Sequence, residues 1–219
     1  MTYTLDQGGE HWKRQDHVDA WAERKAALSE ERAIGFQHLL DALPGDTEAH
    51  LRILDLGAGD GTVAGLLLER FPNAMAELVD FSEPMMEEGR RSLAMFEGRF
   101  RYHFWDMSIG PFPEALTRGA PFDAIVSGAA IHHLVNDRKG WIVEESHRLT
   151  RPGGIFANYD LYRDPDATFG PDEGHNAACA TLAEASDHLE RAGYHDVEIL
   201  ARVPRPARRT EMALMLGRA

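Results

Sequence analysis

A chain of 219 residues, 43% hydrophobic and 27% charged, can bury one substantial core and is read as a single domain over 1–219. Its formal net charge of −13 and pI of about 5.2 repel nucleic acid and anionic membranes, and a lone cysteine, Cys179, excludes an intrachain disulfide or a thiolate zinc cluster. The stretch MTYTLDQGGEHWKRQ lacks the apolar segment of a signal peptide, and no run approaches the roughly 18 apolar residues of a membrane span, so a soluble, cytoplasmic protein is expected.

In chain order, residues 17–43 place Val18, Trp21, Leu28, Ile34, Phe36, Leu39, Leu40 and Leu43 at mixed three- and four-residue spacings, which predicts amphipathic helix. Residues 1–43 are expected to form a helical lid on the core. LRILDLG (51–57) then reads as a strand and TVAGLLLERF (62–71) as a helix. MAELVDF (75–81) is a strand, EPMMEEGRRSLAMF (83–96) a helix and FRYHFWDM (100–107) a strand. FDAIVSG (122–128), RKGWIVEESHRLT (138–150) and GIFANYD (154–160) continue as strand, helix and strand. This alternation predicts an α/β fold, with a parallel sheet covered by helices on both faces.

The tail breaks the alternation. A helix over 180–193 precedes two strand-like runs, 195–202 and 210–219, whose short connection permits an antiparallel pair and forbids a helical crossover. The basic run RVPRPARR (202–209) is read as a solvated connecting loop. The sequence thus divides into the lid, a core over 50–160, a short insert over 161–180, and the 181–219 tail.

ILDLGAGDGT (53–62) follows a strand and opens a helix, the place where an open α/β sheet binds its ligand. Gly57, Gly59 and Gly61 remove side chains where a ligand must approach backbone. A dinucleotide fingerprint would place a further glycine at position 62, which is Thr62, and Asp60 is unfavourable beside two phosphates. A ligand carrying an amine and a sulfonium tolerates that acid better.

At these residues the chain resembles the class I S-adenosylmethionine-dependent methyltransferases. ILDLGAGDG is similar to that family's first motif, LVDFSEPMM (78–86) to its second strand and turn, and FWDM (104–107) to its third strand end. FDAIVSGAAIHHL resembles the fourth strand and LTRPGGIF (149–156) the turn into the fifth. The resemblance covers about residues 50–160. It implies a Rossmann-like doubly wound sheet of seven strands, mostly parallel with an antiparallel last strand, and S-adenosylmethionine as cofactor, leaving S-adenosylhomocysteine as product. It further implies that Asp80 holds both ribose hydroxyls, that Asp106 accepts from the adenine amino group, and that Met107 offers its backbone N–H. Gly57, Ala58, Gly59, Phe81, Met85 and Ser127 complete the expected cofactor contacts, with Asp55 at the cofactor amine. Methionines such as Met85 and Met86 are more often core than ligand contacts, one of them against a purine being the functional alternative.

The residues themselves agree. Asp80 lies nineteen positions after Gly61 at the end of the next strand, which returns it to the glycine-loop edge of the sheet. A carboxylate there can accept two hydroxyl hydrogen bonds.

His132 and His133 begin the loop after the fourth strand, past the small Ala129 and Ala130, and Asp160 ends the next strand. Doubly wound topology makes those strands neighbours, so one histidine can face Asp160. A histidine near neutral pKa can take a proton from an acceptor, and a carboxylate can fix its tautomer. Some small-molecule O-methyltransferases of the family are similar at these positions. His132 is therefore the first candidate base, His133 the second and Asp160 the orienting acid. Helix capping or packing alone remains open for the pair, as does a metal held by His132, His133 and Asp160 with His175; no metal is the expectation, because adjacent histidines seldom aim at one ion.

Trp12, Trp21, Tyr162 and Phe169 are expected around this mouth as the acceptor pocket. No Asn-Pro-Pro-Tyr run, thiol set or magnesium-binding acidic triad is present, which leaves a small-molecule acceptor, with oxygen favoured over nitrogen or carbon. The rival readings are N- or C-methylation by proximity alone, a nicotinamide-dependent oxidoreductase, and a silent binding partner on the same fold. A monomer or homodimer without nucleic-acid or membrane partners is expected.

Overall fold

The computed structural model describes residues 11–20, 29–170 and 173–219. Helices α1 (Ser29–Ala42), α2 (Thr62–Arg70), α3 (Glu83–Ser92), α4 (Glu114–Gly119), α5 (Asn136–Leu149), α6 (Gly174–Ala178) and α7 (Leu182–Ala192) surround strands β1 (Arg52–Leu56), β2 (Met75–Asp80), β3 (Phe100–Phe104), β4 (Phe122–Gly128), β5 (Thr150–Arg163), β6 (His195–Arg205) and β7 (Thr210–Arg218). Ahead of them, His11–Lys13 forms a 3-10 turn and residues 15–20 are helical.

The seven strands form one sheet in the order β3-β2-β1-β4-β5-β7-β6. All pairs are parallel up to β5, whereas β7 runs antiparallel to both β5 and β6. The strand order reverses between β1 and β4, so the crevice outside their carboxyl ends is the natural ligand site. The predicted Rossmann-like sheet with its antiparallel final strand is the observed one.

Central strands are mostly apolar because both faces are covered. Ile53, Leu78, Val126, Ala157 and Tyr159 pack with Phe36 and Leu39 of α1 and Leu67 of α2 on one face. Leu54, Leu56, Ile125 and Phe156 pack with Leu116 of α4, Ile142 of α5 and Leu189 of α7 on the other. Side chains that alternate along β5 therefore serve two cores: Tyr159 joins the first, and Tyr162 the second.

Local signals set the helix ends. α7 starts at a capping box, in which the Thr181 hydroxyl accepts from Glu184 N–H and the Glu184 carboxylate accepts from Thr181 N–H, and it stops at Gly193 in the left-handed region. Ser82 caps α3 by accepting from Met85 N–H at 3.3 Å.

Several predicted boundaries are corrected. β5 begins at Thr150 and extends to Arg163, because its early residues continue pairing across a register shift opposite Phe122 and Ala124. β3 ends at Phe104, so Trp105–Met107 belongs to the turn that follows. The basic run at 202–209 is strand through Arg205; Pro204 is tolerated there because β6 is the edge strand. Neither α4 nor α6 was expected. Of the predicted 17–43 helix, residues 21–28, Trp21 among them, lie outside the described residues.

Candidate functional site

The loop from Gly57 to Gly61 turns from β1 into α2 with Gly57, Gly59 and Gly61 all at positive φ. A Cβ on Gly57 would stand 2.3 Å from the Ala130 Cβ, so glycine here permits β4's loop to approach the β1 turn. Backbone ties fix the loop from two sides: Ala58 N–H donates to the Val79 carbonyl at 2.9 Å, and the Tyr102 hydroxyl donates to the Gly59 carbonyl at 2.9 Å. Asp60 accepts from the Thr62 hydroxyl and N–H at 2.6 and 3.2 Å, which turns this acid toward the helix start.

Asp80 sits at the end of β2, as its spacing predicts, and is buried. One carboxylate oxygen accepts from Gly59 N–H and the other from Ser82 N–H, each at 2.8 Å. Burial pushes its pKa up, and these amides work against that rise. Each oxygen keeps a second lone pair for a ligand hydroxyl.

Asp55 lies deeper, 1% exposed, on β1 beneath the loop. Neither of its oxygens makes a hydrogen bond of ordinary geometry among the described residues. Burial, with the negative Asp80 and Asp60 nearby, raises its pKa to about 8, and the Ala64 amide opposes only part of this. A cationic ligand group above the loop would supply the missing partner.

The next turn is organised by a residue that sequence reasoning missed. Arg138 of α5 donates to the carbonyls of Met107 at 2.5 Å and Gly110 at 2.6 Å, and its guanidinium lies 3.7 Å from the Trp141 ring centroid. Asp106 accepts from Ser108 N–H and hydroxyl at 2.8 and 2.6 Å in the same turn. Ser127 is fully buried and donates to the Leu56 carbonyl at 2.9 Å, tying β4 to β1 below the crevice. Phe81, partly exposed, has the Lys13 ammonium 5.8 Å from its ring centroid, and Met85 is buried with its methyl near Gly59.

On the other side of the crevice, Ile131–His133 forms a 3-10 turn directly after β4. Asp160 of β5 accepts from His132 N–H at 2.9 Å and pairs through its other oxygen with His132 Nδ1. It also accepts from Leu161 N–H at 2.9 Å. Burial alone would raise the Asp160 pKa, but the adjoining His132 and these hydrogen bonds outweigh it and leave the carboxyl below its usual value. Asn158, two residues back on the same strand face, reaches Asp160 at 3.4 Å and Tyr162 Oη at 3.2 Å.

His133 packs on His132 with ring centroids 4.0 Å apart, and His175 of α6 approaches each of the two at 5.1 Å. Trp12 reaches this mouth as expected: its ring lies edge-on 6.2 Å from His133, while its carbonyl accepts from the Ser82 hydroxyl. One N-terminal turn thereby touches both sides of the crevice. Tyr162 is buried behind the histidines, where burial drives its phenol pKa well up and keeps it protonated. Phe169 packs instead against Arg209, 5.0 Å from its guanidinium.

Behind His132 and Asp160 a small cavity between α5, α7 and β5 is lined by Lys139, Asn158, Tyr162, His188 and apolar neighbours. Lys139 is buried with its ammonium on the Ala178 carbonyl at 2.7 Å, and burial lowers its pKa. That bond ties α5 to the segment carrying His175. Lys139 and His175 have no sequence signal for this meeting, since only the tertiary fold brings α5 and α6 together.

Residues 53–154 match the methyltransferase-domain family. An uncharacterized methyltransferase of Mycobacterium bovis is 33% identical over 125 residues, 57% of this chain and 56% of that protein. A demethylmenaquinone methyltransferase of Clavibacter sepedonicus is 37% identical over 103 residues, 47% of this chain and 38% of that protein. The chain spans about half the length of the curated relatives it matches. In structure it is similar to an O-methyltransferase family protein from Burkholderia thailandensis, with a TM-score of 0.66 at 15% identity over 91% of this chain and 58% of that one, a likeness of fold.

Proposed function

We propose that the chain is a class I S-adenosylmethionine-dependent methyltransferase that methylates a small-molecule acceptor at the His132 mouth, on oxygen; the match of residues 53–154 to a methyltransferase domain and the strand order support this reading. Two buried carboxylates beneath one glycine loop carry the proposal. Asp55 has no ordinary hydrogen-bond partner and suits the ligand's ammonium, while Asp80 presents lone pairs to ribose hydroxyls. Gly57 and Gly59 leave the space that a side chain would fill. Asp106 and the Met107 amide are proposed to read the adenine edge, and Phe81 and Met85 to flank the nucleoside.

S-adenosylmethionine, when bound, supplies an electrophilic methyl on a sulfonium. The chain's own part is alignment, exclusion of water and removal of a proton. Asp160 holds the His132 Nδ1 side, so a neutral ring presents its Nε2 lone pair toward the acceptor. His132 would then take the acceptor hydroxyl's proton at Nε2 as the oxygen bonds to the methyl carbon and the carbon–sulfur bond breaks, its electron pair staying on sulfur as a neutral thioether. His133 and Trp12 line the mouth, with Tyr162 behind.

The name of the Clavibacter relative supports a small molecule as acceptor, and the net charge of −13 speaks against a nucleic acid. Asp60 and Thr62 speak against a nicotinamide dinucleotide. Among the described residues no helix is long and apolar enough to cross a membrane.

The acceptor side is tested with S-adenosylmethionine labelled in its methyl group and a panel of phenols, enols, carboxylates and amines. Label transferred to oxygen and lost in His132→Gln supports the reading. Transfer to nitrogen or carbon that His132→Gln leaves intact overturns the base assignment.

A further inference from the structure

We propose that His132, His133 and His175 form a binding site for one divalent transition-metal ion of the zinc class, and that the ion and the proton-accepting role exclude each other at His132. This rests on the reading of His132 as base and adds its regulation. The sequence argues against such a site because adjacent residues diverge. The 3-10 turn Ile131–His133 cancels that divergence by bringing the two rings within 4.0 Å. His175, 42 positions later, completes the set: one ring nitrogen from each residue lies within 4.8 Å of the others. Tetrahedral ligation at about 2.0–2.1 Å per nitrogen places ligand nitrogens roughly 3.4 Å apart. Closing the difference needs a rotation of side chains that are only partly buried at positions 133 and 175.

The surroundings fit an imidazole-ligated ion. Asp160 holds His132 Nδ1, the second-layer carboxylate arrangement that fixes a ligand histidine's tautomer and makes it a better donor. Lys139 anchors the Ala178 carbonyl at 2.7 Å and so holds the short α6 segment near the turn. Three neutral imidazoles favour zinc, copper or nickel over magnesium or calcium, which prefer oxygen. Coordination uses the Nε2 lone pair that would otherwise accept the acceptor's proton, so the loaded protein loses its base.

The test is competition between tag-free, chelator-stripped protein and a chromophoric zinc chelator, with no adenosyl ligand present. One equivalent of zinc should bind with submicromolar Kd, weakened at least tenfold in His175→Ala and unchanged in His195→Ala, whose side chain is exposed on β6. His133→Gln serves as the second variant if His175→Ala loses its far-UV circular dichroism. Asp160→Asn should weaken binding by roughly 10–100-fold. No stoichiometric binding, equal loss in His195→Ala, or saturable binding of inorganic phosphate in place of zinc would overturn the proposal. Binding of S-adenosylhomocysteine is read separately, so loss of either result leaves the other standing.

Discussion

Asp160 grips His132 at two points, its carboxylate oxygens taking the backbone N–H at 2.9 Å and the ring Nδ1. Asp160 lies inside β5 and His132 in the turn after β4, 28 positions apart, and their meeting depends on β4 and β5 being parallel neighbours with Gly128 opposite Tyr159. A backbone bond fixes where the turn sits, and a ring bond fixes which nitrogen faces the crevice. The ring is thus oriented by protein contacts alone, as the proposed role of His132 as base requires.

Asp160→Asn keeps the volume but can donate to Nδ1, which favours the tautomer with hydrogen on Nε2. That ring cannot accept a proton. Methyl transfer to a hydroxyl acceptor should fall in kcat by about 10²–10⁴ with a smaller change in KM. S-adenosylhomocysteine affinity, read by calorimetry, should be unchanged. An equal fall in affinity would mean that the substitution had disturbed the cofactor half.

Asp55 predicts a pH dependence of the ligand-free protein. Its folded pKa of about 8 exceeds the unfolded value, so between roughly pH 4 and 8 the folded chain holds a proton that the unfolded chain has lost. This contribution is full below the unfolded pKa and declines as pH rises through the window. Tm should therefore decline between pH 6 and 8 in the wild type and less steeply in Asp55→Asn. A ligand ammonium favours the ionised carboxylate, so binding at pH 7 should release a proton, seen as buffer-dependent heat. A heat independent of buffer would remove Asp55 from the amine site.

Gly57 and Gly98 separate two costs of a side chain. Both have positive φ, but a Cβ on Gly57 meets Ala130 at 2.3 Å, whereas one on Gly98 meets nothing within 4 Å. Gly98→Ala should cost about 1–2 kcal/mol from backbone alone. Gly57→Ala should cost more and also weaken S-adenosylhomocysteine binding. Equal melting curves for the two variants would show that the loop absorbs the collision.

Tyr102→Phe removes the hydroxyl that ties β3 to the Gly59 carbonyl. Chemical denaturation should show a loss of about 0.5–1.5 kcal/mol. The released loop should also bind S-adenosylhomocysteine more weakly.

The proposed cofactor half was legible because its signals are local. Ile53 to Leu56 and Phe122 to Val126 are largely buried and read as apolar runs interrupted only by Asp55 and Asp123, and Gly57 to Gly61 mark the turn between strand and helix. Asp80 followed from its strand end, and Asp160, which lies inside β5 rather than at its end, from neighbour topology. The early part of β5 was not legible, since Pro152, Gly153 and Gly154 look like a turn, and it is the remote Ala219 that hydrogen-bonds Gly153 N–H and the Gly154 carbonyl. Six-residue α4 is too short for periodicity to show. Arg138 and Lys139 were invisible as site residues for another reason: each acts through a backbone carbonyl supplied by a remote segment. Asn158 had a usable signal, its period-two placement before Asp160.

The central claim is an adenosyl ligand held by Asp80 over the glycine loop. Calorimetric titration of wild type and Asp80→Ala with S-adenosylhomocysteine, and with NADH in parallel, tests it most directly. Micromolar binding of S-adenosylhomocysteine by the wild type, weakened by about 1–3 kcal/mol in Asp80→Ala, is the predicted result. Absence of that binding, or a preference for NADH, would contradict the account.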